Sequence, residues 1–307
     1  MTLLLTHADA DRHEMPPGHP EQVARLRAVR RALDGMELGR EEAVEATDAQ
    51  ILRCHPPEYL ARLTDASPKT GRVQLDADTH MAPGTLRAAR LAAGAACRAV
   101  DAVMAGEAGN AFVAMRPPGH HAERATPMGF CLLGTVAIAA RHALEVHGLD
   151  RVAVVDFDVH HGNGTQDLLW DEPRTLFVSS HQSPLWPGTG DASETGAHDT
   201  IVNVPLPPGS GGATFRERIA PALDRLDAFA PQLVLVSAGF DAHRDDPLAQ
   251  LAWEEDDFAW ITERLCDLAA AHAGGRLVSC LEGGYDLDAL ARSVAVHVDV
   301  LRRRENG

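Results

Sequence analysis

The chain has 307 residues and a formal net charge of −16, from 28 Lys+Arg against 44 Asp+Glu. That excess of acid argues against nucleic acid or an anionic membrane as the main partner, since both are bound through clustered cations. With 45% hydrophobic and 23% charged residues, the composition also excludes a disordered polypeptide.

In chain order, the N-terminal MTLLLTHADADRHE holds a short apolar run followed by acid, with neither a basic start nor a cleavage signal. No apolar stretch approaches the ~20 residues needed to span a bilayer. The five cysteines, Cys54, Cys97, Cys131, Cys266 and Cys280, are scattered and form no CxxC pair, which predicts reduced thiols and a cytoplasmic location. A helix is expected over Thr85–Ala105, stopped by Gly106, and a strand over Ala111–Met115 leads into RPPGHH. The pattern repeats with a helix over Thr135–Val146 and a strand over Arg151–Phe157 before DVHHGNG. Thr175–Ser179 reads as a further strand, Phe215–Phe229 as a helix and Gln232–Ser237 as a strand before AGFDAH. A helix over Asp256–Ala273 and a strand over Arg276–Leu281 before EGGYD complete the alternation. Strands that are apolar throughout are buried on both faces, as in a parallel sheet. The expected fold is α/β, one domain over residues 1–307 with a largely parallel central sheet flanked by helices.

In such sheets ligands bind beyond the carboxyl ends of the strands. That rule gathers His120 and His121, then Asp158 and His160, then Asp241, then Tyr285, each a few residues past a predicted strand. Sixteen histidines are many for this length, and histidine is both a metal ligand and a proton carrier near neutral pH. Asp156, Asp158 and His160 alternate along an extended segment and project to one side. Three such groups beside a buried strand are costly unless paired or metal-bound, although a strand turning into solvent through Gly162-Asn163-Gly164 is the plainer reading. Asp241 alone reads as a helix N-cap; with Asp158 and His160 it completes an N/O donor set that leaves positions open for water and substrate. Zinc, Fe(II), Co(II) and Mn(II) all accept those donors. The Pro117-Pro118-Gly119 turn holds two adjacent imidazoles, either a surface pair or a general acid and base, with Asp156 as the carboxylate that orients one ring. Gly283 and Gly284 let Tyr285 approach a ligand closely, as packing or as a phenol donor to a developing oxyanion.

With these pieces in order the sequence resembles the histone deacetylase family, particularly its class II and bacterial acetylpolyamine-amidohydrolase-like branch. The resemblance rests on RPPGHHA (116–122), GFC (129–131), DFDVHHGNGTQ (156–166), PGTG (187–190), AGFDAHRDDPL (238–248) and EGGYD (282–286), and runs from about residue 75 to 290. It implies an arginase/deacetylase-like fold and one zinc per chain on Asp158, His160 and Asp241, with Fe(II) or Co(II) as substitutes. It further implies His121 as general base and acid backed by Asn163, His120 paired with Asp156, and Tyr285 polarising the substrate carbonyl. A structural potassium ion would use Asp156, Asp158, His160, Ser179 and Ser180. A substrate tunnel would involve Gly129, Phe130, Trp186, Leu248 and Gly283, with Asp78 at its rim. The implied reaction removes an acetyl or other short acyl group from an acyl-lysine-like or related N-acyl amine, small molecule or peptide, and the oligomeric state is left open to a homo-oligomer.

Departures from the family pattern bear on substrate. HPEQVARL (19–26) replaces HPERPERL, Leu132-Leu133-Gly134-Thr135 follows GFC, and His80 stands where tyrosine is common. Leu248 occupies a position that is acidic in polyamine-specialised relatives, which disfavours a strict acetylpolyamine deacetylase; a broader small-molecule amide hydrolase is the other variant. A two-manganese hydrolase would need more carboxylates, and Gly162 and His243 stand where they would fall. A non-catalytic acyl-lysine binder would have lost a ligand, a histidine or Tyr285, and none is lost.

Overall fold

A computed structural model describes residues 1–304; the last three residues of the expected 1–307 domain lie outside the described residues. Eight strands form one parallel sheet: β1 (Thr2–Thr6), β2 (Gly39–Glu42), β5 (Asn110–Val113), β6 (Val152–Asp156), β7 (Thr175–Gln182), β8 (Ile201–Leu206), β9 (Leu233–Ala238) and β10 (Leu277–Leu281). A separate two-stranded ribbon pairs β3 (Val73–Gln74) with β4 (His80–Met81). The sheet order is β2-β1-β5-β10-β9-β6-β7-β8. Strands β5, β6, β9 and β10 are buried at every position, as expected of unbroken apolar runs covered on both faces.

Helices α4 (Thr85–Met104) and α5 (Thr135–Val146) pack on each other and cover β5, β6, β9 and β10 from one side. Helices α1 (Val23–Ala32), α7 (Gly212–Phe229), α8 (Glu255–His272) and α9 (Leu287–Arg303) cover the other. Short helices α2 (Asp48–Ile51), α3 (Pro57–Ala66) and α6 (Asn163–Leu169) fill the connections. Helix α4 is dense in alanine, and fourteen of its positions are buried, so it lies close against the sheet and α5. Gly94 on this helix faces the backbone of Val44 and Ala46 so closely that a Cβ would sit 2.0 Å from a carbonyl oxygen.

Five predicted strands and four predicted helices occur within a few residues of the expected bounds. The sequence reading lacked the two outer strands β2 and β8, the first strand, the β3/β4 ribbon, and helices α1, α2, α3, α6 and α9. Strand β2 is GREE, without an apolar residue, and exists because β1 pairs with it in register. Helix α9 did carry a signal: Asp286 accepts from the backbone N–H of Asp288 and Ala289, a side-chain N-cap. All five cysteines are buried free thiols.

The four adjacent strands β5-β10-β9-β6 occupy the middle of the sheet. Their carboxyl ends deliver, in order, His120/His121, Glu282–Tyr285, Asp241, and Asp158/His160 to one place.

Candidate active site

Past β5, Arg116 is fully buried and its guanidinium pairs with Glu21, with further bonds to the carbonyls of His13 and Ala10. This anchors the prolyl turn, and the next backbone N–H groups, of Gly119 and His120, both donate to Glu282 Oε2 at 2.7 and 3.2 Å. Ser237 donates to the other oxygen of Glu282. Burial pushes the Glu282 carboxyl up to about 7, with His120 opposing. Loop and strand are therefore tied together by one buried acid, and the two imidazoles are held with their ring centroids 3.8 Å apart.

These two histidines have opposite electrostatics. His120 Nδ1 lies 2.9 Å from Asp156 Oδ2; burial opposes its charge, but Asp158 and Asp156 raise its pKa well above the usual value. His121 Nδ1 lies 2.8 Å from Asn163 Oδ1. Burial, with the neighbouring His120 and His160, pushes His121 well below the usual value. One imidazole is set to hold a proton and its neighbour to be without one.

Ligand atoms of Asp158, His160 and Asp241 lie within 4.8 Å of one another. Asp158 Oδ1 accepts from the His160 backbone and Oδ2 from Gly283 N–H; Asp241 Oδ1 accepts from Val159 N–H. His160 Nδ1 faces both carboxylates, at 3.1 Å from Asp158 Oδ1 and 3.2 Å from Asp241 Oδ2. Burial would lower the pKa of His160, yet these two acids raise it to about 10. Two buried carboxylates demand a cation between them. A divalent ion with N/O donors fits the same set.

Tyr285 is 9% exposed, and its backbone N–H donates to Asp246 Oδ2 at 2.7 Å. Gly284 before it has φ +119°, a conformation that favours glycine. Arg25 stacks over the phenol ring at 4.8 Å and donates to the carbonyls of Gly284 and Glu282. The ring is thereby fixed from behind.

Above these groups lies a cavity of about 380 Å³, lined by His121, His160, Gly129, Phe130, Trp186 and Tyr285, with Asp78, His80 and Leu248 also on its wall. A Cβ on Gly129 would fall 2.5 Å from both the His121 ring and the Trp186 ring, so only glycine fits there. Gly283, expected along the tunnel, is not on the cavity wall. It lies behind the ligands, where its N–H holds Asp158 and a Cβ would sit 2.1 Å from Asp241 Oδ2. Ser179 and Ser180 sit on β7, with Ser179 in register with Asp156; Ser179 Oγ contacts His181 Nδ1 at 3.0 Å. Ser180 Oγ is buried without a hydrogen-bond partner among the described residues.

The geometry agrees with the comparisons. A Histone deacetylase domain model matches residues 19–301, nearly the whole chain. The chain belongs to the histone deacetylase family. This deacetylase is 42% identical over 280 residues to a histone deacetylase-like amidohydrolase of Pseudomonas aeruginosa, covering 87% of the chain and 73% of that relative. It is 38% identical to the human polyamine deacetylase HDAC10, covering 98% of the chain and 48% of that protein. Its structure superposes on the solved HDA15 HD domain with a TM-score of 0.91 at 32% identity, covering 98% of the chain and 89% of that domain. The chain is accordingly a hydrolytic deacetylase with an α/β fold.

Sequence reading of this deacetylase missed Glu21, Arg25, Glu123, Asp246 and Glu282. Three of them carried a signal. Glu21 and Arg25 are an i,i+4 pair leading into an otherwise apolar helix face, and Glu282 directly follows an apolar strand.

Proposed function

We propose that the chain is a zinc-dependent N-acyl amine hydrolase that removes short acyl groups from acyl-lysine-like substrates. The observation that carries this reading is the meeting, at the floor of one cavity, of the Asp158/His160/Asp241 donor set, an uncharged His121 and the Tyr285 phenol. Zinc on those donors would polarise the acyl carbonyl and make water acidic near neutral pH, and Fe(II) or Co(II) would serve the same donors.

His121 accepts the proton of the attacking water at Nε2, because Nδ1 is committed to Asn163. As water oxygen bonds to the acyl carbon, charge builds on the carbonyl oxygen, to which the Tyr285 hydroxyl donates. The C–N bond then breaks, and His121 passes its proton to the departing amine, giving a carboxylic acid and a free amine. His120, charged against Asp156, offsets the negative charge of the ligand carboxylates without taking part in the transfer.

A potassium ion is assigned to Asp156, Asp158, His160, Ser179 and Ser180; the unsatisfied Ser180 Oγ supports it. Gly129, Phe130 and Trp186 line an apolar passage suited to a linear alkyl chain, with Asp78 near its mouth. Leu248 in place of an acid favours acyl-lysine-like amides over acetylated polyamines. We further place the chain, as one domain, in a bacterial cytoplasm, a reading supported by five reduced thiols and the Pseudomonas relative. No helix among the described residues is long and apolar enough to cross a membrane.

The test is kcat/KM of the zinc-loaded protein on acetyl-lysine peptides, acetylated polyamines and simple anilides. Acetyl-lysine turnover should exceed that of polyamines, and Tyr285→Phe should lower kcat about 10²–10³-fold. No turnover of any substrate, or full activity in Tyr285→Phe, overturns the reading.

A further inference from the structure

A second gathering of metal-ligating side chains lies far from the cavity. Helices α4 and α5 return the chain to the amino ends of β5 and β6, so their last turns sit at the opposite end of the sheet from the catalytic groups. There Asp101 of α4 meets His142 of α5 and His147, which follows the last residue of α5. Asp101 Oδ1 lies 2.7 Å from His142 Nε2 and 2.7 Å from His147 Nε2. The two rings stand edge to face, with centroids 5.6 Å apart. All three ligand atoms fall within 4.8 Å of one another.

One imidazole would suffice to clasp the two helices. Two aimed at one carboxylate oxygen bring three donor atoms together, as one imidazole and two carboxylates do at the catalytic floor, where His160 Nδ1 stands 3.1 and 3.2 Å from carboxylate oxygens. Opening the 2.7 Å contacts by roughly half an ångström gives the ligand spacing of a tetrahedral zinc with bonds of about 2.0–2.1 Å. The side chain of His142 is 6% exposed, that of His147 22% and that of Asp101 41%, so an ion can enter from solvent and complete its shell with water. Two imidazoles and one carboxylate select zinc, nickel, cobalt or copper over magnesium and calcium.

We propose that Asp101, His142 and His147 form a second divalent transition-metal site that pins α4 to α5, independent of the catalytic donors. Arg53 is its built-in competitor. Its Nη1 lies 3.3 Å from His142 Nδ1, and a guanidinium can only donate, so that bond requires the proton of His142 on Nε2. Ligation through Nε2 needs the proton on Nδ1, and Arg53 must then retreat to Glu145, which already accepts from its Nε at 3.1 Å. Metal binding and the Arg53–His142 bond exclude each other.

The test measures zinc bound per full-length chain at equilibrium with free zinc, together with the zinc-induced rise in melting temperature. Wild type should bind one zinc more than His147→Ala and one more than Asp101→Asn, and neither variant should show the stabilisation from that zinc. Arg53→Ala should bind the same additional zinc several-fold more tightly. Because the readout is a difference between chains with identical catalytic donors, it does not depend on the proposed reaction. Equal zinc content and equal melting shifts in wild type and His147→Ala overturn the proposal, as does an Arg53→Ala chain that binds the additional zinc more weakly.

Discussion

Asn163 faces His121 with its oxygen because its nitrogen is occupied: Nδ2 donates to Glu123 Oε1 at 2.9 Å and lies 3.3 Å from Met128 Sδ. An amide turned the other way would offer N–H to Nδ1 and move the ring proton to Nε2, where the mechanism needs a bare nitrogen. Glu123 thus positions the base through Asn163 without touching substrate. Glu123→Ala should lower kcat roughly tenfold, part of the ~10²–10⁴ that acid–base catalysis contributes, with little change in KM. Adding Asn163→Asp should restore much of that loss, because a carboxylate has no wrong orientation. Steady-state kinetics on both variants checks this; an unchanged kcat in Glu123→Ala refutes the relay. Asn163 entered the sequence reading only through the family resemblance carried by DFDVHHGNGTQ. Glu123 was not legible, because a loop carboxylate two residues past a histidine pair looks like any solvated charge until the fold turns it inward.

At the scale of elements, the approach of β9 and β10 sets the ligand carboxylates. Neither Gly239 nor Gly283 has a positive φ; each is required because a neighbour lies too close. A Cβ on Gly239 would sit 2.1 Å from Asp158 Oδ2, and one on Gly283 2.1 Å from Asp241 Oδ2. Gly283→Ala should leave circular dichroism unchanged while weakening zinc retention by roughly 10–100-fold, as disturbed outer-shell contacts do. Zinc content after dialysis against a weak chelator reads the effect, and wild-type retention would refute it. The central strands were legible because burial on both faces leaves unbroken runs of Val, Leu and Ala. The outer strand β2 was not, since it carries alternating exposure and no apolar residue, and pairing alone makes it a strand. The convergence of Asp158, His160 and Asp241 followed from strand order; the place of Gly283 needed the distance between two strands.

For the whole molecule, the surplus of histidine acquires a thermodynamic meaning. His297 is buried between Thr262 Oγ1 at 2.7 Å and Ser279 Oγ at 2.9 Å, and burial lowers its pKa to about 3. His55 and His181 are likewise lowered by burial, to about 4 and about 3. Such a ring stays neutral in the fold but takes a proton near its ordinary 6.5 once unfolded. The unfolded chain then binds more protons, so the stability these residues contribute is complete above pH 6.5 and declines as pH falls towards 4. His297→Gln keeps both hydroxyl partners within reach and removes the titration. Its unfolding free energy should depend less steeply on pH between 6.5 and 4, by up to one proton per chain; denaturant titrations that give equal slopes would exclude this.

Because all eight strands of the main sheet run parallel, the catalytic groups are confined to their carboxyl ends and none of them lies at the other ends of the sheet. The turns there include Gly106, Gly148 and Gly275, where an added Cβ would meet nothing within 4 Å. They precede β5, β6 and β10, the strands that feed the catalytic groups. Surface attachment, a fused reporter or an inserted peptide at those turns therefore leaves the cavity mouth pointing outward, so the polarity of the sheet gives the molecule a handle as well as a working end.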